Sequence, residues 1–83
     1  MSANVRDFTV GVRGFDFDAV YVRATCHSQA RYICAAAFKD ADMGTLLDGL
    51  RCITSVRACP PTGRRVVAPH GADGCGLLAS EAP

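Results

Sequence analysis

Apolar and polar residues alternate twice in the first quarter of the chain. Phe8, Val10 and Val12 alternate with polar or small residues, and a second alternation covers residues 19–24. A period of two is typical of a strand that buries one face. Gly14 interrupts the pattern between the two segments and allows a tight turn. The sequence therefore predicts an antiparallel hairpin near the N-terminus.

The apolar spacing becomes helical between residues 28 and 41. One face of this segment consists of Ala30, Ile33, Cys34, Ala37 and Ala41. Thr25 and Ser28 are both candidate N-caps. Ser28 is the better placed, because its hydroxyl can accept a hydrogen bond from a free amide of the first turn. Gly44 marks the end of the segment. We therefore expect one main helix, and its small side chains allow a close approach to the sheet.

A shorter helix and one or two further strands are predicted in the second half. Thr45 and Asp48 have the spacing of a capping box. The apolar face of the helix that follows consists of Leu46, Leu47, Leu50 and Ile53. Residues 54–59 predict a third strand, which the proline pair after them would end. Residues 64–68 predict a fourth strand at a sheet edge, since arginine and flanking proline blunt edges.

These elements predict an α+β fold class. The small antiparallel sheet contains the N-terminal hairpin and one or two later strands, and it is packed by one main helix and a short second helix. The predicted core is Val10, Val20, Val22, Ile33, Cys34, Ala37, Leu46, Leu50 and Val56. Residues 1–68 form a single domain in this prediction, as expected for 83 residues. Residues 69–83 are rich in Gly, Ala and Pro, so we expect a loop and a flexible C-terminal tail.

Composition indicates a globular protein without a membrane-spanning segment. Hydrophobic residues make up 49% of the chain and charged residues 20%. No apolar run reaches the length of about 18 residues that a spanning helix needs. The first residues lack both the basic region and the apolar stretch of a secretion signal. An odd number of cysteines, five, is unlike a disulfide framework. We therefore expect a cytoplasmic protein with reduced thiols.

Cysteine and histidine do not have the spacing of a structural zinc site. Such sites usually take their ligands as close pairs such as CxxC, and none occurs here. Cys26 and His27 are the strongest catalytic candidates, because a thiolate is favoured near a helix N-terminus. No third partner for them is evident in the sequence. We therefore expect no metal, no other cofactor and no enzymatic activity, and a thiol- or metal-dependent enzyme is the alternative with least support.

Two other motifs are interpreted as structural. Asp16 and Asp18 would share one strand face about 6.6 Å apart, which is wide for two carboxylates that hold one ion. We interpret them as a solvated strand face. The glycines of residues 71–76 are similar to a phosphate loop, but no Lys-Ser or Lys-Thr pair follows them.

Charge is segregated along the chain. Residues 49–72 contain four arginines and no acidic residue, whereas acidic residues cluster at 7–18 and 40–48. The four are Arg51, Arg57, Arg64 and Arg65. They are the candidate partner-binding residues, because guanidinium groups bind carboxylates and phosphates alike. An acidic protein surface and nucleic acid both stay open as partners. An ordinary solvated edge is the alternative interpretation, and a homodimer also stays open because the core is small.

Residues 19–57 carry a resemblance to known proteins. The strand sequence VYVRAT at 20–25, the helix start SQARYI at 28–33 and the Leu-rich segment before Val56 and Arg57 carry it. This pattern resembles small uncharacterised accessory proteins of bacteriophages and prophages. The resemblance implies action by binding in the cytoplasm of a bacterial host. Some proteins of that class inhibit host defence complexes, including CRISPR effectors, and others attach to nucleic acid or virion components.

The sequence thus predicts a non-enzymatic binder of a protein partner, with inhibition of a bacterial defence complex as one form. Nucleic-acid binding through the arginines of residues 51–65 is the alternative.

Overall fold

The computed structural model of the protein describes residues 4–13, 20–71 and 74–79. The elements in chain order are β1 (Arg6–Val12), β2 (Val20–Ala24), α1 (His27–Asp40), α2 (Leu46–Cys52), β3 (Ile53–Ala58), β4 (Val66–Pro69) and β5 (Gly76–Leu78). The strands form one antiparallel sheet in the order β3-β1-β2-β5-β4. The α+β class and the N-terminal hairpin are therefore confirmed.

Alternation along the hairpin places its apolar side chains under α1. Phe8 pairs with Val22 and Val10 with Val20, so these four share one face of the sheet. The buried core consists of Phe8, Val10, Val22, Ala24, Ala30, Ile33, Cys34, Ala35, Ile53 and Cys75. Of the predicted core, four residues are buried there, and Val20, Leu46, Leu50 and Val56 are partly buried against them. Ala37 is half-buried.

The predicted N-cap of the main helix is wrong. The N-cap is Cys26, two residues before Ser28, so α1 begins at His27, and the Cys26 side chain makes no capping bond. Gln29 instead reaches back from the first turn, where its Oε1 accepts bonds from the backbone N and Oγ1 of Thr25, both at 2.7 Å. Gln29 therefore fixes the residue that precedes the N-cap, which is a different role from the cap expected of Ser28.

The second helix has the predicted capping box. Thr45 Oγ1 accepts a bond from Asp48 N at 3.1 Å, and Asp48 Oδ2 accepts one from Thr45 N at 3.0 Å. Ile53 does not extend the helix as predicted, because its backbone is already extended and it begins β3. α2 also lies very close to α1: a side-chain carbon at Gly49 would be 3.1 Å from the backbone of Ala35.

The prediction of a loop and tail after residue 68 is wrong at residues 76–78. β5 lies inside the sheet, where it pairs with β2 on one side and β4 on the other. Gly76 has a φ of 149°, and a side-chain carbon there would clash with the carbonyl oxygen of Ala68. β5 has three residues and begins with glycine, so its sequence shows no alternation that would predict a strand. Only its pairing with β2 and β4 identifies it. β4 is an edge strand as predicted, but it covers Val66–Pro69 rather than residues 64–68.

Candidate functional site

Asp7 is the buried charged residue of the described part of the chain, with 4% of its surface exposed. Arg23 Nε donates to its Oδ1 at 2.8 Å. Thr62 donates to Oδ2 through its backbone N at 2.8 Å and its Oγ1 at 2.6 Å. Burial by itself raises the pKa of Asp7, but the hydrogen bonds from Arg23 and Thr62 outweigh it and lower that pKa from 3.8 to about 2. Asp7 is therefore a charged structural anchor.

This anchor holds the segment that joins the two sheet edges, which we call the crossover loop (residues 59–65). The loop leaves β3 at one edge and enters β4 at the other. Its ends and middle are bonded to the hairpin: Cys59 N donates to Asp7 O at 3.0 Å, and Arg23 Nη2 donates to Arg64 O at 3.0 Å. Asp7 and Arg23 point away from the helices, because their chain neighbours Phe8 and Val22 face α1. The loop therefore passes over the sheet face opposite the helices, called the open face below.

Arg64 is half-buried, and its guanidinium group is bound within the molecule. Its Nη1 donates to the carbonyl oxygen of Ala79 at 3.1 Å. Its guanidinium carbon lies 4.1 Å from the centre of the Tyr21 ring, which is a cation–π contact. Arg64 is therefore a poor candidate for partner binding, although the sequence places it among the four.

The other three candidate arginines are exposed, but the fold does not bring them together. Arg57 is on β3, opposite Thr9, and so on the open face. Arg51 is in the last turn of α2, and Arg65 lies next to β4. β3 and β4 are the two sheet edges, about 19 Å apart at normal strand spacing. The predicted arginine surface is therefore divided between two edges.

The β3 edge also borders a polar groove, which we call the β3 groove. It has a volume of about 350 Å³ and is lined by His27, Ser28, Arg31, Ile53, Thr54, Ser55 and Val56. Arg31 is exposed, and its Nη2 donates to Leu50 O at 3.3 Å. Sequence reasoning missed Arg31, because its helical position predicts only solvent contact and nothing in the sequence shows that α1 begins beside β3.

A second cavity, of about 420 Å³, is apolar. It lies between α1, the hairpin and β5, and it is lined by Val12, Val20, Tyr21, Cys34, Ala37, Phe38, Ala41, Met43, Leu77 and Leu78. Burial raises the pKa of the Cys34 thiol to about 11, so this thiol is protonated at neutral pH.

The remaining sequence candidates form no common site. Cys26 and His27 are both exposed, and the His27 ring contacts Phe8 edge-on with the ring centres 4.9 Å apart. Asp16 and Asp18 lie outside the described residues. Gly71 and Gly74 have positive φ angles and belong to the turn between β4 and β5. Within residues 4–13, 20–71 and 74–79, no three His, Cys, Asp or Glu side chains are placed to hold a metal ion.

Comparison with known proteins finds no family model, no curated protein and no solved structure that matches this chain. In the part of the chain that the structure describes, no helix is both long enough and apolar enough to cross a membrane.

Proposed function

We propose that this chain is a small, non-enzymatic accessory protein that binds an acidic region of a protein partner beside β3. Arg57 carries the proposal: its side chain is exposed on an edge strand, and the nearby carboxylate of Asp7 forms its salt bridge with Arg23 instead. Arg31 adds a second cation from α1 on the other side of the strand. Arg51 contributes less, because it lies close enough to Asp48 to lower the pKa of that carboxyl, after the larger effect of the Thr45 hydrogen bonds.

Nucleic acid has less support as the partner. Single-stranded bases stack on exposed aromatic rings, and the Tyr21 ring on the open face already contacts the Arg64 guanidinium. Asp7 neutralises Arg23, another cation of that face. Of the four arginines predicted from the sequence, the exposed ones are Arg51, Arg57 and Arg65, and they are divided between the β3 and β4 sides of the sheet.

A capture experiment with three proteins tests the proposal. The tagged chain, its Arg57→Glu variant and its Arg65→Glu variant are incubated with nuclease-treated bacterial lysate, and bound proteins are identified by mass spectrometry. We expect an acidic protein to be retained by the original chain and by Arg65→Glu, and to be lost with Arg57→Glu. The charge change is the same in both variants, so net charge is controlled. Equal capture by all three folded proteins, or none above background, contradicts the proposal.

The nucleic-acid alternative makes its own quantitative prediction. Three free arginines that neutralise three phosphates give a slope of about −2.7 in a plot of log affinity against log salt on duplex DNA. Fluorescence anisotropy with a labelled duplex measures this slope. A slope of that size, which Arg57→Ala reduces to about −1.8, would indicate that the partner is nucleic acid and not a protein.

The cytoplasmic location and the bacteriophage origin belong to the same proposal. The five cysteines are all free thiols, a state that the reducing cytoplasm maintains. The origin and the defence-complex partner depend only on the resemblance of residues 19–57. The identity of the captured protein tests both: a subunit of a bacterial defence complex supports them, and a partner unrelated to defence or to phage particles contradicts them.

A further inference from the structure

Among the residues that the structure describes, β3 has a strand partner on one side only. It pairs with β1 and ends the sheet order. Cys59 N donates to Asp7 O, so the pair Asp7–Cys59 is hydrogen-bonded, and alternation makes Thr9–Arg57 the next such pair. The backbone N–H and C=O groups of Val56 and Ala58 therefore point away from the sheet. An exposed row of this kind is a template for an added strand.

The two edges of the sheet differ in how far they are protected. β4 ends at Pro69, and its register with β5 is irregular. β3 contains no proline and only one charged residue, Arg57. Its register with β1 shifts between Gly11 and Val12, so the regular pairing begins at Ser55. The stretch from Ser55 to Ala58 is therefore the part of the sheet most open to another strand.

The β3 groove lies where the side chains of an added strand would go. Side chains of a strand alternate between its two faces. On the helix side, alternate side chains would enter the groove and meet Arg31, His27 and the hydroxyl of Ser28. On the open face, the others would lie beside Arg57. None of the described residues that line the groove is acidic, and the first turn of α1 contains no acidic residue.

We propose that β3 binds an extended acidic peptide segment as a sixth strand of the sheet. Backbone hydrogen bonds to Val56 and Ala58 hold the segment, and its carboxylates face Arg31 in the groove and Arg57 on the open face. This inference rests on the proposed function and gives the chemistry and the conformation of the partner segment. The binding mode is β-strand addition, in which main-chain bonds supply affinity and side-chain contacts supply specificity.

The test separates backbone pairing from charge. A displayed library of random ten-residue peptides is selected against the full chain, and the enriched peptides are synthesised. We expect acidic sequences. Ala58→Pro removes one outward N–H without a change in charge, and Ala58→Ser keeps that N–H. Binding should fall about tenfold or more with Ala58→Pro, because a hydrogen bond is lost and the proline ring blocks the edge, and it should survive Ala58→Ser.

A second measurement does not depend on the folding of the proline variant. Peptides with N-methyl groups at alternate backbone positions keep their charge but cannot pair along one edge. Two such peptides are made, one methylated at the odd backbone positions and one at the even positions. Only one of these sets faces β3, so we expect one of the two peptides to lose binding to the unchanged protein. Arg57→Glu should weaken the unmodified peptide as well.

The outcomes distinguish the two proposals. If Arg57→Glu abolishes binding while Ala58→Pro and N-methylation do not, the proposed binding of an acidic partner through Arg57 is supported and strand addition is overturned. If the enriched peptides are not acidic, or none is enriched, the inference fails, and the capture experiment decides the proposed function independently. A dimer in sedimentation velocity that Ala58→Pro dissociates would assign the β3 edge to a second copy of this chain and overturn the peptide.

Discussion

Replacing Asp7 with asparagine removes a buried negative charge and nearly keeps the shape of the side chain. Asp7 accepts bonds from Arg23 and Thr62, and both partners are donors. Asparagine has one acceptor oxygen where the carboxylate has two, so one of these donors loses its acceptor. Arg23 also loses its counter-ion, while only 26% of its side chain is exposed. We therefore expect the variant to be destabilised and the crossover loop to be loosened.

The pKa shift sets the size of the effect. An aspartate in the unfolded chain has a pKa of 3.8, and the pKa of Asp7 in the folded protein is about 2. This difference corresponds to about 2 kcal/mol of stability for the ionised carboxyl. Because the folded pKa is the lower one, this contribution is complete above the unfolded pKa and is lost as the pH falls through about 2. For a urea slope of about 1 kcal/mol per molar, the midpoint at neutral pH falls by about 2 M.

Urea unfolding followed by circular dichroism, at neutral pH and again near pH 2, measures this effect. The difference in unfolding free energy between the original chain and Asp7→Asn should shrink by about 2 kcal/mol between the two conditions. Asp40→Asn is the matched control, because Asp40 is exposed at the end of α1 and its loss should change stability by a few tenths of a kcal/mol. A difference that stays constant with pH would refute the assignment of Asp7 as a charged anchor.

Three further predictions test the fold. Gly76→Ala should destabilise the protein by about 2 kcal/mol or more, because φ at Gly76 is positive and the added carbon would clash with the backbone. Gly74→Ala is the control: φ is positive there too, but the space around it is open, so the loss should be about 1 kcal/mol. Equal losses in thermal unfolding would show that the close packing of β5 against β4 does not contribute to stability. Thr45→Ala should lower the free energy of unfolding by about 1 kcal/mol through loss of the capping box, whereas Ser28→Ala should change it very little. A larger loss with Ser28→Ala in urea unfolding would show that Ser28 is the N-cap of α1 after all. Alkylation of Cys34 at pH 8 should be much slower in the folded protein than in urea, because burial raises its pKa to about 11, and peptide mass spectrometry showing equal rates would contradict this burial.

Local patterns were enough for most of the secondary structure. The alternation of Phe8, Val10 and Val12 gave the correct buried face of β1, and the Thr45–Asp48 spacing gave the correct capping box. Both signals act over a few residues, so they do not depend on the rest of the fold. The mistakes came where a partner distant in sequence decides the outcome, as with Ile53, whose apolar side chain suits a helix face and a strand equally well.

The candidate site shows the same limit more strongly. Sequence reasoning treated Arg51, Arg57, Arg64 and Arg65 as one surface, because they are close in the chain. The sheet order puts β3 and β4 at opposite edges, and the guanidinium group of Arg64 is occupied by its contacts with Tyr21 and Ala79. Arg31 joins Arg57 beside the β3 groove only because α1 begins next to that edge.

The sequence by itself determined the α+β class, the hairpin, the main helix and the capped second helix, because each depends on periodicity or on groups within one turn. The tertiary structure decided which charges are free. Asp7 and Arg23 are 16 residues apart, and Asp7 and Thr62 are 55 apart, so only the folded sheet joins them into an anchor. It also decided that β5 fills the sheet and that β3 stays at the edge. Strand pairing joins residues that are distant in the chain, and a local pattern does not record which strands become neighbours.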